Sequence, residues 1–152
     1  MSGALAHTQD PVRIRQAQPA DAAALVPLLA QLGYPGAEAF IERRVAEQLR
    51  HPDALLLVAE VEDRVLGFMS LHFVPQLALT GDFCRLSYLC VDEQARGLGI
   101  GALLEQRAVL EARRRGCDRI ELHSHQRRGA AHRFYFREGY EESPKYLVKR
   151  LA

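Results

Sequence analysis

One stretch of the sequence, residues 91–102, decides how the chain is interpreted. It reads Val91-Asp92-Glu93-Gln94-Ala95-Arg96-Gly97-Leu98-Gly99-Ile100-Gly101-Ala102. A strand-like apolar run ends where it starts and a helix-like run begins where it ends, so three glycines at alternate positions lie in the turn. Glycines let backbone N–H groups converge on one point and let a phosphate approach without an intervening Cβ. The helix amino terminus adds partial positive charge and Arg96 adds a full one, so the turn predicts a pyrophosphate site. The alternative is a strand-to-helix turn whose glycines serve tight packing.

Two nucleotide-binding signatures fit this turn less well. Gly97, Gly99 and Ala102 formally match the dinucleotide fingerprint GxGxxG/A. Only residues 103–152 follow, which is too short for the further βα units of that fold, and Glu121 falls inside a predicted strand instead of at its end. The phosphate-loop signature GxxxxGK[ST] is absent from the sequence. A dinucleotide-binding oxidoreductase fragment therefore remains a minor alternative, and another pyrophosphate ligand is favoured.

Strands and helices follow one another in an order that predicts the fold class. The predicted strands are residues 12–15, 54–61, 64–73, 83–91, 119–123 and a closing pair within 140–151, and the predicted helices are residues 19–32, 37–50, 99–115 and 129–138. Glu62 and Asp63 predict a tight turn that joins the second and third strands in an antiparallel hairpin. Strands therefore first form a hairpin run and alternate with helices only later. The order βααβββαβαββ therefore predicts an α+β fold with a mixed sheet. We expect residues 1–10 to be a disordered lead and residues 11–152 to form a single domain.

Composition and charge exclude several classes of protein. The net charge of +1 over 152 residues argues against nucleic-acid or membrane-surface binding by bulk electrostatics. No apolar run approaches the roughly 18 residues of a membrane span, and the N-terminal residues do not have the pattern of a secretory signal. The three cysteines, Cys84, Cys90 and Cys117, have no zinc-ligand spacing. We therefore expect reduced thiols in a cytoplasmic protein.

A second motif near the C-terminus leads to a family resemblance. Residues 131–140 read Ala131-His132-Arg133-Phe134-Tyr135-Phe136-Arg137-Glu138-Gly139-Tyr140. This run is similar to the A-x-x-F-Y-x-x-x-G-F/Y helix of the GNAT superfamily of N-acetyltransferases, and residues 94–99 are similar to its Q/R-x-x-G-x-G/A acetyl-CoA motif. The resemblance covers residues 12–151. It implies a mostly antiparallel central sheet flanked by helices, with acetyl-CoA as the acetyl donor and no metal.

The resemblance also implies roles for particular residues. The end of the strand before the glycine turn would pair with the pantetheine arm of acetyl-CoA through Leu89, Cys90 and Val91. A backbone N–H near Leu89 or Cys90 would meet the oxyanion, and the Tyr135 hydroxyl would protonate the departing thiolate. The CoA pyrophosphate would be held by Arg96 and by the backbone N–H groups of the turn, which are those of Gly97, Leu98, Gly99, Ile100, Gly101 and Ala102.

Two positions depart from the family pattern, and they leave the general base open. Arg128 stands where many members have an asparagine, and its guanidinium could instead meet a CoA phosphate. Ser87 stands where many have a catalytic glutamate. The remaining candidates for the base are His72, His123, Asp82 and Glu121, and an ordered water is an equal alternative.

Two further chemistries carry less support from the sequence. An acetyl-cysteine intermediate on Cys90 needs a thiolate, and no activating group is adjacent in sequence. A metal site at His123, His125 and His132 lacks a fourth ligand at a recognised spacing.

The sequence therefore predicts an acetyl-CoA-dependent N-acetyltransferase that transfers the acetyl group directly, in a ternary complex. The acceptor is a primary amine on a small molecule, a peptide or a protein. The alternative is a non-catalytic module of the same fold that binds or senses acyl-CoA. No nucleic-acid or membrane partner is expected, and the resemblance allows a homodimer.

Overall fold

A central sheet of five strands lies at the middle of the molecule in the computed structural model, which describes residues 11–123, 129–143 and 146–151. The strands lie side by side in chain order: β1 (Arg13–Gln16), β2 (Ala54–Val61), β3 (Arg64–Val74), β4 (Phe83–Val91) and β5 (Arg119–Glu121). Strands β1 to β4 pair antiparallel with one another, and β5 pairs parallel to β4. The α-helices are α1 (Ala22–Leu32), α2 (Ile41–Arg50), α3 (Ile100–Arg114) and α4 (Gly129–Arg137). The predicted α+β fold with a mixed, mostly antiparallel sheet is confirmed.

The turn between β2 and β3 fixes the hairpin at the centre of this sheet. Glu62 and Asp63 both have positive φ, at 52° and 61°. Two such residues in a row match the right-handed twist of the strands on either side, which is why tight hairpins use this geometry. The tight turn predicted from these two residues is therefore present.

Each face of the sheet carries its own apolar core. One core lies between the sheet and α3, and it includes Leu57, Met69 and Leu104. The other lies between the sheet and the pair α1–α2, and it includes Leu28 and Phe68. Because β2 and β3 are covered on both faces, their sequences are nearly continuous apolar runs instead of alternating ones. We refer to the two sides as the α3 face and the α1–α2 face.

The end of the chain differs from the prediction. The described residues from 140 onward, 140–143 and 146–151, belong to no strand, although a closing strand pair was predicted there. Strand β5 also ends at Glu121, so it offers a partner only three residues long. Leu147 and Leu151 are 87% and 92% exposed, because their apolar alternation finds no covered face of the sheet to pack on. The order of elements is therefore βααβββαβα in the described part of the chain.

Among the described residues, no helix combines the length and the apolar character that a bilayer span requires.

Candidate active site

The glycine turn is anchored at its beginning by the backbone of β3. The Asp92 N–H donates to the carbonyl of Leu66 at 2.8 Å, and the Asp92 carboxylate accepts the N–H of Gln94 at 2.8 Å. A short 3₁₀ turn over Glu93–Ala95 follows, and α3 begins at Ile100. The predicted sequence of strand, turn and helix is therefore the observed one.

Two of the three glycines face open space. Gly97 and Gly99 have φ of +92° and +75°, and a Cβ added at either would meet no atom of the described residues within 4 Å. A Cβ at Gly101 would lie 3.5 Å from the ring of Phe134, which is an ordinary packing distance. Tight packing therefore does not explain Gly97 and Gly99. Their space is open to a ligand that approaches the backbone closely.

The amino terminus of α3 follows directly after the turn. Gly99 occupies the N-cap position of α3, and no side chain caps the helix. The first N–H groups of a helix have no partner within it, so those after Gly99 are available to an anion. Ile100 is buried and Leu98 is half-buried against the core of the α3 face, which anchors the turn. Arg96 is exposed beside it.

The outer edge of β4 opens toward this turn. Strand β5 pairs with β4 only at Phe83, Cys84 and Arg85. From residue 86 to residue 91, β5 therefore leaves the outer edge of β4 uncovered in the described part of the chain. The side chains of Leu89 and Val91 pack into the α3-face core. What these residues present along the uncovered edge is therefore their backbone N–H and C=O groups.

Cys90 belongs to the opposite core. It is 6% exposed, and its thiol donates to the carbonyl of Leu28 with an S–O distance of 3.1 Å. This geometry explains the residue as a packed core cysteine, and it gives no support to an acetyl-cysteine intermediate.

A β-bulge in β4 brings two consecutive residues to the α1–α2 face. Ser70 pairs with Tyr88 and Leu71 pairs with Leu86, so Ser87 is an extra residue on β4. Side chains normally alternate between the two faces of a strand. Because of the bulge, Ser87 contacts His72 and Tyr88 lines a cavity, both on the same face.

The base candidate His72 forms a hydrogen-bonded pair with Ser87, the residue at the position of the family's glutamate. The Nδ1 atom of His72 lies 2.8 Å from the Oγ atom of Ser87. Burial lowers the pKa of His72 below its ordinary value of 6.5, and the positive charges of His51 and Arg85 lower that pKa further. The imidazole is therefore neutral at neutral pH and is able to accept a proton.

The cavity next to this pair has a volume of about 600 Å³ and lies between α1, α2 and the sheet. Its walls are mostly apolar and aromatic. They are formed by Leu25, Leu29, Gly33, Tyr34, Pro35, Ala37, Phe40, Ile41, Arg44, Val45, Gln48, Leu56, Phe68, Ser70, His72 and Tyr88. Tyr34 and Tyr88 meet edge to face with their ring centroids 5.5 Å apart.

Gln48 is a residue of this cavity that sequence reasoning missed. Its Oε1 atom is buried and has no hydrogen-bond partner among the described residues. Its position follows Ile41 and Val45 at helical spacing on α2, and both of those side chains are buried. A polar residue in an otherwise apolar helical stripe is the signal that could have identified it.

Tyr135 lies on the α3 face of the sheet. It is half-buried against the α3-face core, and its ring meets the rings of Phe134 and Tyr140 edge to face at 5.2 Å and 5.5 Å. Its backbone carbonyl accepts the N–H of Tyr140 at 3.0 Å. Tyr135 and the His72–Ser87 pair therefore approach β4 from opposite faces.

A buried carboxyl group behind Tyr135 was also not expected from the sequence. Glu105 on α3 is 5% exposed, and its Oε1 atom accepts the hydroxyl of Tyr140 at 3.3 Å. Burial raises the pKa of Glu105, and the nearby charge of Glu138 raises that pKa further. The pKa of Tyr140 is also raised, chiefly by burial.

The other base candidates lie away from the cavity. His123 is exposed after the end of β5, where its ring stacks on Tyr146 at 4.0 Å and its Nδ1 atom is 3.4 Å from the Arg85 guanidinium. Glu121 is ion-paired with Arg119 at 2.7 Å. Asp82 precedes β4 and does not line the cavity.

Some predicted features fall outside the described residues. They are Arg128, His125 and the lead of residues 1–10. In the described ranges, no group of three or more His, Cys, Asp or Glu side chains is placed to hold a metal ion.

Comparison with known proteins identifies the relatives of this chain. A protein family described as "Acetyltransferase (GNAT) family" matches residues 25–140. The aminoalkylphosphonate N-acetyltransferase of Salmonella typhimurium is 35% identical over 106 residues, which cover 70% of this chain and 69% of that protein. The uncharacterized N-acetyltransferase YhfO of Bacillus subtilis is 29% identical over 144 residues, which cover 90% and 94% of the two chains. Among solved structures, a transcriptional regulator from Bacillus halodurans superimposes with a TM-score of 0.85 at 26% identity, covering 93% of this chain and all of that one.

Proposed function

The chain belongs to the Acetyltransferase (GNAT) family and is an N-acetyltransferase, and we propose that it transfers an acetyl group from acetyl-CoA directly to a primary amine. The observation that carries this proposal is the His72–Ser87 pair at the bulge of β4. The pair lies between a cavity suited to an acceptor and a strand edge that leads to the glycine turn.

The glycine turn and the open edge of β4 fit the donor. The backbone N–H groups from Gly97 to Ala102 would hold the pyrophosphate, with Arg96 beside it. The uncovered edge at Leu89–Val91 would pair with the amide groups of the pantetheine arm as an added strand does. Acetyl-CoA supplies the thioester, whose carbonyl carbon is the electrophile.

The His72–Ser87 pair would remove the proton from the acceptor. An alkylammonium has a pKa near 10.4, so at neutral pH the amine needs a base before it can attack. Ser87 Oγ takes the amine proton and passes its own proton to Nδ1 of His72. The amine nitrogen then forms the C–N bond. This relay replaces the glutamate that many family members carry at the position of Ser87.

Tyr135 would complete the transfer from the other face of β4. A backbone N–H near Leu89 or Cys90 stabilises the oxyanion while the carbonyl carbon is tetrahedral. When the C–S bond breaks, the Tyr135 hydroxyl donates its proton to the thiolate. The nitrogen, which carries a positive charge after the attack, loses its remaining extra proton to water. Tyr135 regains a proton from water and His72 releases the one it took, so the products are an acetylated amine, the free thiol of CoA and one proton.

A second acceptor class is suggested by one relative. The Salmonella protein is named for aminoalkylphosphonates, and Arg44 lines the cavity of this chain as a cation that could meet a phosphonate. We treat this class as the alternative acceptor.

The three cysteines are all free thiols, as we expect for a cytoplasmic protein. That the protein forms a homodimer remains a prediction.

Two measurements test the proposed function. Calorimetric titration should show binding of acetyl-CoA and none of NADH, and the reverse result would contradict the assignment of the glycine turn. Tyr135→Phe should then lower kcat by about 100-fold or more with little change in acetyl-CoA affinity. Tyr146→Phe, which alters another tyrosine that lines the same cavity as Tyr135, serves as the control. Acetyl-CoA binding without transfer to any amine would favour the non-catalytic alternative.

A further inference from the structure

We propose that the acceptor is a monoamine whose apolar body is the size of an aromatic ring and carries a hydroxyl group that hydrogen-bonds to Gln48. This inference rests on the proposed function, because it concerns the substrate of the same site. It is carried by the walls of the cavity, by the unpartnered Gln48 Oε1 atom, and by the charges around both.

The walls of the cavity fit a flat, apolar body. Tyr34, Phe40, Phe68 and Tyr88 all line it, together with aliphatic side chains from α1, α2 and β2. Aromatic walls contact a ring through edge-to-face or offset stacking, which adds to the gain from burying its apolar surface. A short aliphatic amine has no ring to stack on these walls and buries less apolar surface against them, so it should bind less well.

Gln48 provides a polar contact on the wall opposite the sheet. Its Oε1 atom is buried without a partner in the described part of the chain, and an acceptor in that state raises the free energy of the folded protein. A hydroxyl on the ligand can donate to this oxygen. Because Gln48 comes from α2 and His72 from β3, the hydroxyl and the amine of one ligand would meet opposite walls.

The charges of the site disfavour a second ammonium group. No Asp or Glu is among the described residues that line the cavity, and Arg44 is a cation at its wall. Arg44 is itself paired with Glu47 at 3.0 Å on the exposed side of α2, so that carboxylate is already engaged. A buried ammonium without a carboxylate is costly, so diamines should be poor acceptors.

The test compares acceptors by kcat/KM with the full chain and saturating acetyl-CoA. The panel contains 2-phenylethylamine, its para- and meta-hydroxyl derivatives, 1,5-diaminopentane and 2-aminoethylphosphonate. We expect at least one hydroxyl derivative to exceed 2-phenylethylamine by about fivefold or more, as one hydrogen bond allows. We expect 2-phenylethylamine to exceed the diamine by at least about tenfold.

A pair of variants assigns the hydroxyl preference to its residue. Gln48→Met keeps the side-chain length and removes the buried oxygen, so it should reduce the hydroxyl preference to about onefold. Gln106→Met alters an exposed glutamine of α3 and should leave that preference unchanged. Since the first change removes an unpartnered polar atom, we expect the variant to fold, and the wild-type panel is decisive without it.

Several results would overturn this inference. They are a preference for the diamine or the phosphonate, equal rates for the hydroxylated and plain ring amines, or a hydroxyl preference that survives Gln48→Met. Acetylation of peptide amines but of no panel member would also overturn it, and would leave the proposed function standing. Failure to bind acetyl-CoA in the calorimeter would remove both.

Discussion

Gly99→Glu should weaken acetyl-CoA binding by roughly 100-fold while the protein stays folded. The φ of +75° at Gly99 is one that other residues adopt only with strain, and the substitution costs about 1–2 kcal/mol of folding free energy. No atom of the described residues lies within 4 Å of the added Cβ, so no steric clash adds to this cost. For a chain of this size the melting temperature should fall by about 2–8 °C.

The effect on binding is larger because the new carboxylate enters the phosphate site. Two unit charges about 5 Å apart, at an effective dielectric constant near 20, repel by about 3 kcal/mol. At about 1.4 kcal/mol for each factor of ten, this repulsion weakens acetyl-CoA binding by roughly 100-fold. Gly99→Gln carries a side chain of the same size without the charge, so it separates the electrostatic loss from the steric one.

Gly116→Glu is the matched control, because it creates the same strain away from the glycine turn. Its φ is +71°, and a Cβ there also meets none of the described residues within 4 Å. It should lower the melting temperature at least as much, since its carboxylate lies at the negative carboxyl end of α3. Its acetyl-CoA affinity, measured by calorimetry, should equal that of the wild type. A Gly99→Glu protein that binds acetyl-CoA within threefold of the wild type would refute the assignment.

Three further predictions concern the groups around β4. His72→Gln should lower kcat/KM by about 100-fold or more and remove the acid limb of the pH–rate profile, which lies below pH 6.5 because burial lowers the pKa of His72. His123→Gln should leave that profile unchanged, and the opposite pattern would make His123 the base. Cys90→Ala should lower the free energy of unfolding by about 1 kcal/mol, because the side chain is buried, and should retain kcat in an acetyl-transfer assay. Loss of turnover in a folded variant would instead support the acetyl-cysteine intermediate. Glu105→Gln should stabilise the fold increasingly as the pH rises above the ordinary carboxyl pKa, because the raised pKa of Glu105 means that folding opposes its ionised form. Melting curves from pH 4 to pH 8 measure this difference, and a gap between variant and wild type that does not widen would contradict it.

Local sequence patterns predicted most of the fold, because each of these patterns strongly favours one backbone conformation. The glycine turn and the run before it predicted the end of β4 and the start of α3, and the structure has both. The Glu62–Asp63 turn was predicted for the same reason. The closing strands failed because local alternation is also satisfied by an exposed segment, and only the sheet decides whether a partner is present.

The same distinction between local patterns and contacts of distant segments applies to the candidate site. The sequence by itself determined the family, the turn suited to a pyrophosphate, and the tyrosine helix, since these depend on residues close together in the chain. It could name His72 and Ser87 but could not pair them, because they lie on different strands whose register only the folded sheet fixes. The tertiary structure alone placed Gln48 in the cavity wall and separated Tyr135 from the His72–Ser87 pair across β4. Contacts between distant segments depend on how strands align and helices pack, and a one-residue bulge is enough to change which side chains meet.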